Sequence, residues 1–118
     1  MWLITTDGFY SVVEKPEDRG TDMLTIRARV ASDLDRLRER FLPTLGATGK
    51  DGGTDYKFRA RAPRKDIADA MSKIAMSLDY SNFKSAVLKR QGKEREQLYH
   101  GLWDVLYKLQ TDPVHNKK

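Results

Sequence analysis

The chain predicts an α+β fold: an antiparallel sheet of about four strands with three to four helices packed on one face. Three observations lead there. Leu24-Thr25-Ile26-Arg27-Ala28-Arg29-Val30 and Tyr56-Lys57-Phe58-Arg59-Ala60-Arg61-Ala62 alternate small or apolar residues with polar ones and cations, the two-residue period of strands with one solvated face. Asp7-Gly8 separates two β-prone runs and signals a hairpin. Beyond Pro63 the apolar residues recur in steps of three and four, the period of helices packed along one side. Strands that give way to helices, in the order β-β-β-α-β-α-α and without an internal repeat, favour helices laid over one side of an antiparallel sheet.

Taken in order, Trp2 to Thr6 and Phe9 to Lys15 form the first two strands, or one long strand with a bulge at Gly8. Pro16-Glu17-Asp18-Arg19-Gly20 is a polar turn, and Met23–Val30 is the third strand. Ser32 is expected to cap the first helix, with Asp35 three residues on. Leu34, Leu37 and Phe41 make its apolar stripe, Asp33, Arg36, Glu39 and Arg40 face water, and Pro43 ends it. Residues 44–54, with four glycines, read as a flexible loop. The strand 55–62 follows. Pro63 suits the first turn of a helix carrying Ile67, Ala70, Met71, Ile74 and Leu78. Ser81-Asn82 caps a third helix and Gly92 breaks it. The segment 94–109 places Leu98, Leu102, Val105 and Leu109 on one stripe, flanked by Tyr99, Trp103, Leu106 and Tyr107. An aromatic stripe at helical spacing is expected to pack into a core. Residues 1–110 are predicted as one domain and 111–118 as a flexible C-terminal tail.

Composition narrows the chemistry. The 118 residues contain no cysteine, which excludes disulfides, thiol catalysis and iron–sulfur ligation. The start lacks the basic and apolar regions of a signal peptide, and no apolar run spans a membrane, so a soluble, cytoplasmic protein is expected. Net charge is +5. Residues 1–62 carry 11 basic and 10 acidic side chains, a net of +1; residues 63–118 carry 11 and 7, a net of +4. Such a balance is compatible with polyanionic partners.

The candidate site follows from strand alternation. Arg27, Arg29, Lys57, Arg59 and Arg61 are predicted to share one face, opposite Leu24, Ile26 and Phe58. Adjacent like charges cost stability, which an anion would relieve. Lys84, Lys89, Arg90 and Lys93 could extend a phosphate track, and Tyr10 or Tyr56 could stack on bases. The function expected on this basis is a non-enzymatic anion or nucleic-acid binding module without cofactor or metal. Two alternatives stand beside it: a protein-interaction module or homodimer using an exposed sheet edge or the aromatic helix, with an acidic protein as a further occupant of the basic face, and a metal-independent ribonuclease using Arg59, Arg61, Tyr56 and His100. There is no His-Glu-x-x-His pattern, P-loop, dinucleotide fingerprint or nucleophile elbow.

Met1-Trp2-Leu3-Ile4-Thr5-Thr6-Asp7-Gly8-Phe9-Tyr10-Ser11, the Leu24–Arg29 run, Asp33-Leu34, Asp55-Tyr56 and Asp79-Tyr80-Ser81-Asn82-Phe83-Lys84 resemble a small bacterial family to which no activity is attached. Tyr99, Trp103 and Leu106 fit the same pattern. The resemblance implies a bacterial origin and a single-domain frame, and assigns no catalytic or binding residue.

Overall fold

A computed structural model describes residues 1–116 and divides the chain into two compact units, Met1–Asp79 and Tyr80–Lys118. The first is the α+β body. Its five strands are β1 (Trp2–Ile4), β2 (Phe9–Val13), β3 (Met23–Ala28), β4 (Gly49–Lys50) and β5 (Phe58–Pro63), arranged β1-β2-β3-β5-β4 with antiparallel pairing throughout. Helices α1 (Ala31–Arg40) and α2 (Arg64–Met76) belong to this unit; α1 packs on β3 and β5, and α2 on β5. Ile26, Leu34, Ala60 and Ile67 meet in the core between sheet and helices. The alternation of β3 and β5 therefore does what the pattern requires, with its apolar side under α1 and α2.

The β1–β2 connection is a hairpin, not a bulged single strand. Thr5 N–H donates to the carbonyl of Gly8 at 2.9 Å, while Thr5 Oγ1 accepts from the N–H groups of Asp7 and Gly8 at 3.1 Å. The loop is anchored to α1 by buried Asp33, whose Oδ2 accepts from Phe9 N–H at 3.1 Å and whose side chain pairs with Arg36. Asp7 pairs with Arg40. Asp33 does not face water as its helical position suggested, because the hairpin loop lies over the start of α1. The N-cap of that helix is Val30, two residues before the expected Ser32, so Ser32 stands inside the first turn and does not cap.

Gly8 is required by this junction. A β-carbon there would lie 2.6 Å from Asp33 Cγ and 2.8 Å from the Tyr10 hydroxyl. Gly8→Ala should lower stability by about 2 kcal/mol, the scale of overpacking in a closed site, and a urea midpoint at constant m-value measures it.

The stretch 44–54 is not wholly loop. It contains β4, and the Arg38 guanidinium ties its first part by donating to the carbonyls of Leu45 and Gly46 and to Thr48 Oγ1 at 2.7–3.1 Å. The predicted strand 55–62 is β5, three residues shorter at its start, and the third strand stops at Ala28. Tyr56, Lys57 and Arg29 thus lie beyond the strands. Pro63 closes β5 and caps α2.

The second unit is a helical hairpin of α3 (Phe83–Gln91) and α4 (Lys93–Thr111). Asn82 caps α3 as expected, its Oδ1 accepting from Ser85 N–H at 2.9 Å. Gly92 turns the chain at φ +93°, a conformation that favours glycine. Val87 is fully buried and Phe83 stacks on Tyr99, ring centroids 5.9 Å apart. The aromatic stripe does not enter a core: α4 has no buried residue, and Trp103 and Tyr107 are exposed. No helix among the described residues is long and apolar enough to cross a membrane.

Candidate functional site

Strand register builds a row across the helix-free side of the sheet. Trp2 pairs with Ser11, Ser11 with Arg27, and Arg27 with Arg59, so all four side chains share that face. Ser11 is small and buried at the centre of the row, and Arg27 reaches over it, donating from Nη2 to Ser11 Oγ at 2.8 Å. Arg59 donates from Nη2 to Thr54 Oγ1 at 2.9 Å and to the Tyr56 carbonyl at 3.2 Å. Arg29, just past the end of β3, donates from Nε to the carbonyl of Asp55 at 3.2 Å.

Tyr56 organises these cations from below. Its ring centroid lies 4.5 Å from the Arg27 guanidinium carbon and 4.6 Å from that of Arg29. Phe9 touches the same cluster, 6.2 Å from Tyr56 and 5.4 Å from Trp2 by ring centroids. A guanidinium over an aromatic face keeps its charge while its stem is fixed by packing. Every acceptor holding Arg27, Arg29 and Arg59 is neutral, and among the described residues none of the three has a carboxylate partner. Nε of Arg27 and Nε of Arg59 are buried without a hydrogen bond.

Arg61 shares the face but not the role. It makes an ion pair with buried Asp18, Nη2 to Oδ1 at 2.7 Å and Nε to Oδ1 at 2.8 Å. The other oxygen of Asp18 accepts from Lys15 N–H at 2.9 Å and from the Thr25 hydroxyl at 2.8 Å. Burial pushes the Asp18 carboxyl upward. The hydrogen bonds from Lys15, Thr25 and Arg61, with the charge of Arg61, outweigh it and hold the pKa below the ordinary aspartate value.

The remaining candidates separate. Lys57 is exposed, its Nζ 5.8 Å from the Phe58 ring and outside the paired strands. Tyr10 cannot stack on a base from this face: it pairs with Leu3 on the helix side, buried, and donates its hydroxyl to the Asp33 carbonyl at 2.7 Å. Tyr56 is only 5 % exposed, because Arg27 and Arg29 occupy its faces. Lys84, Lys89, Arg90 and Lys93 belong to the helical unit. There Lys84 Nζ lies 4.9 Å from the Trp103 ring and 3.5 Å from His100 Nδ1, while Lys89 and Lys93 are exposed. His100 is also in that unit, exposed but stacked on Trp103 with ring centroids 5.9 Å apart, and Asp104 lies 3.6 Å away. Of the residues considered for ribonuclease chemistry, Tyr56 is therefore buried and Arg61 neutralised.

Sequence reasoning missed Trp2, 59 % exposed at the end of the arginine row. Its signal was present: hairpin pairing around Asp7-Gly8 puts Trp2 opposite Ser11. Asp18, in the turn after β2, had no such signal, since its partner lies 43 residues away on β5. Comparison with protein-family models, with curated proteins and with solved structures finds no match to this chain.

Proposed function

We propose that the helix-free sheet face binds a polyanion, and that the ligand is single-stranded nucleic acid. The observation that carries the reading is the cross-strand pair Arg27 and Arg59 with neighbouring Arg29, held by neutral acceptors and an aromatic ring with no carboxylate between them. Like charges directly opposite on a ladder repel, and partly buried cations without a counter-ion carry a desolvation cost. A phosphodiester seated on the row relieves both. Guanidinium groups suit it because they donate two parallel hydrogen bonds to phosphate oxygens.

Exposed Trp2 gives the row an aromatic end on which an unpaired base can stack, and a shallow sheet surface accommodates splayed bases better than a duplex groove. Phosphate contacts of this kind supply affinity with little sequence choice. The reading places the protein in the cytoplasm, where a chain without cysteine is ordinary.

Fluorescence anisotropy with labelled single-stranded RNA, single-stranded DNA and duplex, at several salt concentrations, tests it. Three phosphate contacts on a single strand correspond to a slope of log K against log salt near about −2. Trp2 emission, isolated in a Trp103→Phe background, should be quenched by the single strands and not by duplex. A salt-independent isotherm, or equal preference for duplex without quenching, removes the proposal.

A further inference from the structure

Asp-Gly occurs twice in the chain, at Asp7-Gly8 and at Asp51-Gly52, and the fold treats the two pairs in opposite ways. Glycine has no side chain to shield its amide nitrogen, so that nitrogen can reach the preceding carboxyl wherever the backbone is free to turn. At the β1–β2 turn it is not free. Asp7 is buried and paired with Arg40, and Gly8 N–H donates to Thr5 Oγ1 at 3.1 Å. A β-carbon at Gly8 would meet Asp33 Cγ at 2.6 Å. Just after β4 the same dipeptide lies open. Asp51, Gly52 and Gly53 are all exposed, Gly52 N–H has no acceptor among the described residues, and a β-carbon at Gly52 would meet nothing within 4 Å. The Asp51 side chain turns back along the chain, Oδ1 accepting from Gly53 N–H at 3.1 Å, which sets its carboxyl beside the intervening Gly52 nitrogen.

We propose that Asp51 is a site of spontaneous conversion to isoaspartate. The Gly52 nitrogen attacks the protonated carboxyl and forms a bond to Cγ, closing a succinimide ring. The carboxyl's hydroxyl leaves with the amide proton as one water. A second water then opens the ring. Breaking the bond from nitrogen to Cγ returns aspartate, and breaking the bond from nitrogen to the former main-chain carbonyl gives isoaspartate, whose mass is unchanged. The product main chain runs through Cγ and is longer by one carbon. That extra carbon falls at the end of β4, where Asp51 N–H donates to the Lys57 carbonyl at 2.8 Å and Gly49 pairs with Arg59.

The full chain, held at physiological temperature and near-neutral pH, then cut with trypsin and read by electron-transfer fragmentation, tests the proposal. Isoaspartate should accumulate at Asp51, in the peptide of residues 51–57. It should form at least about tenfold more slowly at Asp7, which must open locally before it can react. In urea, with the fold gone, the two sites should react at similar rates. Asp51→Glu, which would have to close a larger ring, and Gly52→Val, whose branched side chain crowds the nitrogen, should each suppress the product in the native chain. Neither position has a positive φ, so both variants keep the backbone as it is. Native protein whose Asp51 stays aspartate over a period that converts the unfolded chain, or whose Asp7 reacts as fast as Asp51, overturns the proposal.

Discussion

Arg27→Glu combined with Arg59→Glu is expected to reduce affinity for single-stranded RNA at least about 100-fold at low salt, close to 3 kcal/mol. The two side chains stand opposite each other on β3 and β5, so reversal replaces an adjacent pair of phosphate donors with an adjacent pair of repelling carboxylates. Neutral variants separate binding from folding. Arg59→Gln loses donors to Thr54 Oγ1 and the Tyr56 carbonyl but also relieves the like-charge opposition with Arg27. These effects are of similar size and opposite sign, so stability should move by less than ~1 kcal/mol. Affinity should nevertheless fall, and the salt slope should shrink by roughly 0.7, one contact's worth on a single strand. Anisotropy and a urea titration of the same preparation read both quantities. If Arg59→Gln binds as wild type does while the fold is intact, the arginine row is not the ligand site.

The second large effect concerns stability in acid. Asp18 is buried and accepts from Lys15 N–H, the Thr25 hydroxyl and the Arg61 guanidinium. Its carboxyl is held below the ordinary aspartate value. Because the folded-state pKa is the lower one, the carboxylate's contribution is fully present above the unfolded value of about 3.9 and is lost as pH falls through the folded value. Unit 1 should therefore lose stability progressively as pH falls below about 4. Asp18→Ala should cost about 3 kcal/mol at pH 7, since it leaves buried donors without an acceptor. The Arg61 side chain is 42 % exposed and can turn to water, which limits its part of that loss. Asp18→Asn should be milder at neutral pH and should flatten the acid dependence. Urea unfolding at pH 7 and pH 3, followed by Trp2 emission in Trp103→Phe, makes the comparison. An unchanged pH slope in Asp18→Asn would assign the acid sensitivity to other carboxylates.

Much of the secondary structure in both units is readable along the chain because its information is local. Asp7-Gly8 marks the β1–β2 hairpin, the alternation in β3 and β5 assigns their faces, and Asn82 and Gly92 mark the limits of α3. The errors have a common origin in groups brought together from distant segments. Asp33 looked solvated on a helical wheel, yet the hairpin loop covers it and Phe9 donates to it. Residues 44–54 looked irregular, yet β5 offers an edge with which Gly49 and Lys50 pair. Tyr10 and Tyr56 both looked available for stacking. One faces the helices, and arginines cover the other.

The candidate site divides in the same way. That Arg27, Arg59 and Arg61 share a face follows from a two-residue period and needs no coordinates, since successive strand side chains must point to opposite sides. Which of these cations keeps its charge unanswered depended on the fold. A carboxylate from the turn after β2 reaches Arg61, while Arg27 and Arg59 meet only neutral acceptors. Ion pairing is settled by distances of a few ångströms between segments far apart in the chain, and periodicity carries no information about those.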